Sequence, residues 1–353
     1  MILSRRSSTI DTIVPTTPAA RKQALLSMLN AHPFRPAWWL RNRHLQTIWG
    51  PKLGRAPRIP YDRQVWETPD GDDLSVYVYR GDPEKPWVLL MHGLEGCIGS
   101  YYIPRLNRDF HAIGWNVAAL IFRSCDGAIN KTKRIYHMGE TGDLDFVVSE
   151  LPARLGVSHV YIAGMSLGAN VLCKWLGEYG GAVPPLVRGA AALSPPFQPE
   201  HAIAQFGASF FGVYNRFFLK TLIRKAIEKE RQFPGCIDLE KIRNCTDFHT
   251  YDTEVTARLH GFRDARHYWE EVGCGQFLAD IRVPTMLLTS EDDAFNPAHT
   301  IPRAIADASD YLIPQWTQHG GHGGFVSGAW PWKARYWMDG QVLRFFTALE
   351  AGA

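Results

Sequence analysis

The sequence is short of several things, and each shortage excludes a class of protein. Six cysteines are scattered over 353 residues, at positions 97, 125, 173, 236, 245 and 274, and no two form a C-x-x-C pair. That spacing supports neither a zinc ribbon nor a thioredoxin-type redox site. Sparse thiols fit a reducing compartment, where free cysteine serves as a small apolar residue. No run reaches the roughly 18 uninterrupted apolar residues that a membrane span needs. Net charge is nearly absent as well: 38 Lys plus Arg against 35 Asp plus Glu leave +3, which gives no coat for nucleic acid. Internal repeats and low-complexity tracts are missing. The first residues carry Arg5-Arg6, but no apolar stretch follows, Asp11 and Pro15 interrupt, and no small-residue cleavage pattern is clear. A cytoplasmic location is the expectation.

What the chain does hold is apolar and aromatic. With 46% hydrophobic residues and 12 Trp it is a folded protein, long enough for one large or two average domains. Residues 1–50 read as an N-terminal arm. Its first 35 or so residues are polar and Pro-punctuated, loosely attached, with a short helix near Arg21 to Leu29; Trp38 to Trp49 (WWLRNRHLQTIW) then docks onto the body. From about Leu74, short apolar runs alternate with helical stretches. Leu74 to Tyr79 alternates like a half-exposed strand, whereas Trp87 to Met91 and Asn116 to Phe122 are continuous apolar runs, as doubly buried strands should be. Further strands are expected at His159 to Ala163, Leu186 to Leu193, Thr285 to Leu288 and Tyr311 to Ile313. Helices are expected at Tyr102 to Gly114, at Gly139 to Leu155 and after Ser166. Such alternation implies parallel pairing with right-handed crossovers, an α/β sheet with helices on both faces.

The alternation stops after the sixth strand. Residues 196–279 are aromatic, basic and helical in pattern and read as a helical cap over a core made of 51–195 and 280–353. Within the cap, Phe206 to Lys229 mixes Phe206, Phe210, Phe211, Phe217 and Phe218 with Arg216, Lys220, Arg224 and Lys225. The aromatics fit an acyl pocket and the basic residues a solvated face; contact of an amphipathic helix with anionic lipid is the other reading.

The chemistry is concentrated in three passages. In HVYIAGMSLGAN (His159 to Asn170) a strand-like run enters Gly164-Met165-Ser166-Leu167-Gly168 and a helix-compatible run leaves it. G-x-S-x-G between a strand and a helix is a nucleophile elbow. The serine must sit on a sharp turn, and the residues two before and two after it then have no room for a Cβ. Upstream, the strand WVLLM runs into His92-Gly93-Leu94-Glu95-Gly96, where a loop would donate one oxyanion N–H. The expected donors are the backbone N–H groups of Leu94 and Leu167, with His92 a structural residue of the loop.

For the base, Gln318 to Phe325 (QHGGHGGF) offers two histidines among four glycines. His322 is preferred over His319, which is assigned to loop packing; a metal reading of the pair is weak, because the loop is too floppy and has no acid within it. For the acid, a strand ends at Glu291-Asp292-Asp293. Asp293 is preferred for orienting an imidazole, with Asp292 as runner-up and a helix cap as its alternative role. His44, His137 and His260 are read as packed or solvated. Arg134, Tyr136, His137 and Glu140 are read as a polar cluster that supports a loop.

The order of these motifs resembles the YheT-like branch of the α/β-hydrolase superfamily, from about Arg41 to Phe346. The matching passages are Asn42 to Thr47 (NRHLQT), His92 to Gly96 (HGLEG), Arg134 to Thr141 (RIYHMGET), Gly164 to Gly168, Thr256 to Gly261 (TARLHG) and His319 to Phe325. The resemblance implies an α/β-hydrolase fold and a charge relay of Ser166, Asp293 and His322. Members of the branch are similar to carboxylesterases; eukaryotic relatives act on acylglycerols, medium-chain acyl esters or phospholipids, some with an N-terminal membrane anchor, and no such anchor is expected here.

The expectation is therefore a serine carboxylic-ester hydrolase acting through an acyl-enzyme on short- to medium-chain acyl esters or lipid-like esters, without metal or organic cofactor. No nucleic-acid partner and no integral membrane segment are expected, with transient contact with a membrane surface left open. The rivals are an acyltransferase with the same triad and a non-catalytic lipid-binding protein on a hydrolase frame.

Overall fold

A computed structural model describes residues 17–54 and 56–352. The Arg5-Arg6 pair and the beginning of the expected arm lie outside the described residues. The chain opens with two helices, α1 (Pro18–Asn30) and α2 (Arg43–Leu53). Thr17 caps the first, its hydroxyl accepting from the Ala20 N–H, with Pro18 at the first helical position; Asn42 caps the second, accepting from His44 and Leu45. These helices are not loosely attached. Leu25 and Leu29 are fully buried, and the Lys22 ammonium donates to the carbonyls of Ala306 and Asp307. Most of the other polar residues of α1 lie on its outward face.

The core alternates β1 (Asp62–Glu67), β2 (Asp73–Tyr79), β3 (Trp87–Met91), α3 (Tyr102–His111), β4 (Asn116–Ile121), α4 (Gly142–Leu155), β5 (Val160–Met165), α5 (Leu167–Tyr179) and β6 (Val187–Leu193). With β7 (Thr285–Ser290) and β8 (Leu312–Thr317), which follow later in the chain, the eight-stranded sheet has the order β1-β2-β4-β3-β5-β6-β7-β8. Its pairs are parallel except β1 with β2 and β2 with β4. Strand β1 escaped the sequence reading for a physical reason. It is an edge strand whose DRQVWE buries only Trp66, so it carries no apolar run. Strands β3, β4, β5 and β7 are buried along their whole length, as their unbroken apolar runs predict.

Helices cover both faces. α4 and α5 pack on one side through Leu144, Val148, Leu172 and Trp175. α1, α3 and the terminal helix α13 (Trp337–Glu350) pack on the other through Leu29, Leu106, Phe110 and Phe346. After β6 the chain is helical until β7 (Thr285–Ser290). It forms α6 (Pro199–Ala208), α7 (Val213–Gln232), α8 (Leu239–Arg243), α9 (Phe248–Tyr251), α10 (Arg258–His260) and α11 (Ala265–Val272), with a wide π-helical turn at Asp252–Ala257. These helices share an apolar cluster of their own, Phe206, Tyr214, Leu222, Phe248 and Tyr251 among it, and rest on Leu94, Ala294 and Phe295 of the sheet loops. α12 (Arg303–Ala308), β8 (Leu312–Thr317) and a small ribbon of β9 (Val326–Ser327) with β10 (Arg335–Tyr336) complete the fold. Among the described residues no helix is long and apolar enough to cross a membrane.

Candidate active site

Ser166 sits between β5 and α5 with φ 54° and ψ −114°, a backbone conformation that few non-glycine residues adopt. The neighbouring glycines make this turn possible. A Cβ on Gly164 would lie 2.4 Å from the Gly168 carbonyl oxygen, and one on Gly168 would lie 2.6 Å from that of His92. Because β3 lies beside β5 in the sheet, the loop after β3 runs against the turn: a Cβ on Gly93 would be 3.2 Å from the Ser166 Cβ.

That loop is held in a particular shape. The Gly93 N–H donates to the Tyr102 hydroxyl, the Glu95 N–H to the Tyr136 hydroxyl, and the Gly96 N–H to the Gly93 carbonyl. The Leu94 N–H has no acceptor among the described residues. Across the turn the Ser166 N–H donates to Leu193, and the Ala169 and Asn170 N–H groups to the Ser166 carbonyl. The Leu167 N–H, at the start of α5, has no intrahelical acceptor. Leu94 and Leu167 line one cavity with Ser166. His92 is turned away from this cavity's chemistry by its own contacts with the backbone. Its Nδ1 lies 2.7 Å from the Gly93 carbonyl and its Nε2 accepts from the Phe122 N–H at 3.0 Å. Both ring nitrogens are thus occupied in the neutral form, and burial pushes the imidazole down to about 4.

The glycine-rich loop after β8 delivers His322. Its Nδ1 is 3.1 Å from Oδ1 and 3.0 Å from Oδ2 of Asp293. Asp293 follows β7 and is fixed by its own turn, Oδ1 accepting from the N–H groups of Phe295 and Asn296. The other histidine and acid pair with each other: His319 Nδ1 lies 3.1 Å from Asp292, which also accepts the Gly321 N–H. Two expectations are corrected here. His319 is exposed rather than packed, and Asp292 pins the histidine loop rather than capping a helix. His322 lines the same cavity as Ser166. The imidazole and the Ser166 hydroxyl form no hydrogen bond with each other in this structure.

The loop is also not floppy, as its four glycines had implied. A Cβ on Gly321 would meet the Arg43 carbonyl at 2.4 Å, and one on Gly324 the Gln46 carbonyl at 2.4 Å. Glycine here permits close approach to α2. That helix seats the loop directly. The His322 N–H donates to Thr47 Oγ1, and Gln46 Oε1 accepts the Val326 N–H. Sequence reasoning noted the passage NRHLQT without assigning it this task. The signal was a glycine-rich loop that needed a surface to lie on.

The cavity between sheet edge and helices α6 to α9 encloses about 620 Å3, within the range of small-molecule sites. Its walls are mainly apolar, with Ile203, Phe206, Phe218, Leu222 and Val255 from the helical segment and Met138 and Phe295 from the sheet loops. Two lysines of α7 reach it. Lys225 is paired with Glu95 at 2.6 Å. Lys229 is buried and donates to the Asn130 and Thr132 carbonyls, and burial lowers its ammonium to about 8.

One further cluster, His137, Glu140 and His260, brings its ligand atoms within 4.8 Å of one another. The arrangement does not suit a cation. Arg134 already neutralises Glu140 at 2.5 Å. His137 Nδ1 and His260 Nε2 each accept a backbone N–H, from Gly139 and Ile135. Burial holds both imidazoles neutral, His260 at about 4. The cluster ties the loop before α4 to His260 of the helical segment.

A family profile for the alpha/beta hydrolase fold matches residues 86–232. Among known proteins, YheT, a candidate esterase of Escherichia coli (strain K12), is 32% identical over 90% of this chain and 94% of its own length. The phospholipase ABHD3 of Bos taurus is 25% identical over 90% of this chain and 78% of its own. The crystal structure of the esterase Pf2001 of Pyrococcus furiosus shares the fold, with a TM-score of 0.54 at 15% identity over 83% of this chain and 98% of that one. The match to YheT spans nearly the whole of both proteins, and the sheet supports it, so the chain belongs to the YheT-like branch of the α/β-hydrolase superfamily.

Proposed function

We propose that the protein is a serine carboxylic-ester hydrolase that works through an acyl-enzyme, with short- to medium-chain acyl esters or lipid-like esters as substrates. The observation that carries this reading is the buried contact of His322 with Asp293, on a cavity shared with Ser166 and with the unbonded N–H groups of Leu94 and Leu167. Ser166 Oγ attacks the ester carbonyl while His322 Nε2 takes its proton. Asp293 holds the ring with Nδ1–H turned inward and stabilises the imidazolium. The Leu94 and Leu167 N–H groups receive the oxyanion, each of such donors being worth roughly 3–4 kcal/mol. His322 then returns the proton to the departing alkoxide, and water repeats the sequence on the acyl-enzyme, releasing the acid.

The apolar wall supports an acyl chain, and the names of the relatives, an esterase candidate and a phospholipase, support the ester class. Residues 196–279 act as the cap over a core of 51–195 and 280–353. The six thiols are all unbridged, which supports work in the reducing cytoplasm.

The test is hydrolysis of a p-nitrophenyl ester ladder from acetate to palmitate, with fluorophosphonate labelling alongside. Wild type should turn over and label, Ser166→Ala should do neither, and the peak of the ladder gives the acyl length that fits. Labelling without hydrolysis would point instead to acyl transfer to an alcohol. A folded wild-type protein that does neither would remove the enzyme reading.

A further inference from the structure

Beside the mouth of the cavity the protein exposes aromatic residues that no feature of the fold explains. Phe211 is 90% exposed and Phe217 is 57% exposed. Both belong to the start of the helical segment whose Phe210, Val213 and Phe217 line the cavity entrance. Phe210 and Phe211 hold φ values of 50° and 56°, left-handed conformations that are strained for bulky side chains. A short turn thus spends backbone strain while leaving the Phe211 ring in water. The band continues across α2. The Lys52 ammonium lies 5.1 Å from the Phe217 ring centroid. The next residue, Leu53, is 66% exposed and shares a crevice with Trp332, itself 76% exposed. Trp332 stacks on Trp330, and Trp330 meets Trp38 edge to face.

The exposed charge beside this band is mainly basic; the acids of the crevice, Asp109 and Asp339, are paired with Arg108 and Arg105. Arg216, Lys220 and Arg224 stand on the exposed face of α7 with Phe217, and Lys333 and Arg335 flank Trp332. The run Val213 to Lys225 contains no acidic residue, although the whole chain is almost balanced. Exposed Trp and Phe among Lys and Arg, at one edge of a fold and beside an apolar cavity, is the composition of an interfacial anchor.

We propose that this edge is a docking face for a lipid bilayer that carries anionic headgroups. Phe211, Phe217 and Trp332 enter the headgroup region, while Lys52, Arg216 and Lys220 meet the phosphates. The cavity mouth then opens onto the bilayer. A second copy of the chain is the poorer occupant, because a symmetric contact through this face would oppose the same lysines and arginines to one another. The inference goes beyond the ester-hydrolase reading and does not rest on it, since binding is read without turnover.

The experiment is flotation of the full chain with large unilamellar vesicles, of phosphatidylcholine alone or of equal parts phosphatidylcholine and phosphatidylglycerol. Wild type should float with the mixed vesicles and bind pure phosphatidylcholine about tenfold or more weakly. Phe211→Asn with Phe217→Gln should weaken binding to the mixed vesicles by at least about tenfold, from the lost apolar burial. Asparagine is chosen because it tolerates the left-handed backbone at position 211. Lys52→Glu with Lys220→Glu should abolish the preference for phosphatidylglycerol. Val65→Ser, an exposed apolar position on edge strand β1, should bind as wild type does. All variants should keep the wild-type melting curve, because the altered side chains are exposed. Wild type that floats with neither vesicle, or a Phe211→Asn/Phe217→Gln protein that binds like wild type, overturns the proposal. A dimer in sedimentation velocity that this double variant converts to monomer overturns it in favour of self-association.

Discussion

His322 Nδ1 is held between both carboxylate oxygens of Asp293, at 3.1 and 3.0 Å, with the two side chains buried under Phe295. Next to this pair, His319 and Asp292 make the same type of contact at 3.1 Å, but with His319 in solvent. Adjacent acids and nearby histidines therefore differ in burial and in what they face. In serine hydrolases the amide replacing the orienting acid presents the wrong tautomer and costs about 10⁴ in kcat. Asp293→Asn should show a loss of that order against the preferred p-nitrophenyl ester, while Asp292→Asn should lose less than about tenfold. Equal losses from the two substitutions would mean that the relay runs through the whole loop rather than through Asp293.

The loop after β3, proposed to form the oxyanion hole, is tied to the helical segment above it. Glu95, in a left-handed conformation with φ 52°, accepts from the Lys225 ammonium and the Tyr136 hydroxyl, and returns its own N–H to that hydroxyl. The neighbouring N–H, that of Leu94, is free to face the cavity because these contacts fix the peptide planes on either side. Tyr136→Phe removes both the acceptor of the Glu95 N–H and a donor to its carboxylate. Its kcat should fall roughly tenfold to a hundredfold with a smaller change in KM, the signature of an interaction made in the transition state. A change in KM alone would place Tyr136 in ground-state binding.

Much of this site is legible in the sequence, for identifiable reasons. Strands β3 and β5 are buried on both faces and so spell themselves as apolar runs, and the G-x-S-x-G turn needs its glycines wherever it occurs. What was hidden depends on contacts distant in the chain. Nothing local to Gln46 and Thr47 reveals that they seat Val326 and His322, and nothing in a polar N-terminal stretch reveals that Leu25 and Leu29 are fully buried. The four glycines around His322 looked like freedom; next to α2 they are close contacts.

Asp252 gives a prediction about pH. It is buried beside the cavity, accepts from Thr256 and from the Trp269 indole, and has no cationic partner among the described residues; burial raises it to about 6 from its ordinary 3.8. The folded state thus binds a proton more tightly than the unfolded state does, so this residue's contribution falls as pH rises from below about 4 to above about 6. At neutral pH the charged form costs on the order of 2–3 kcal/mol. Asp252→Asn keeps an acceptor for Trp269 and removes the charge. Calorimetry should find it more stable than wild type at about pH 8, with the difference vanishing near pH 4. An equal gain at both values would assign the effect to packing instead of ionisation.

On the opposite face of the sheet, α3 and α13 are joined by a buried ion pair. Arg105 Nε lies 2.7 Å from Asp339, both side chains are almost wholly excluded from solvent, and the guanidinium also stacks 3.4 Å from the Tyr336 ring centroid. Removing one partner strands the other charge, which costs about 3–5 kcal/mol, whereas an apolar replacement of both is often neutral. Arg105→Met should therefore lower the denaturation midpoint sharply, and Arg105→Met with Asp339→Leu should recover most of the loss. Arg105 reaches the site only through its stack on Tyr101, whose hydroxyl donates to the Gly323 carbonyl, so the change in kcat per folded molecule should stay within about tenfold while the stability changes sharply. A double variant as unstable as Arg105→Met would mean that the arginine acts through its stack on Tyr336 rather than through the carboxylate.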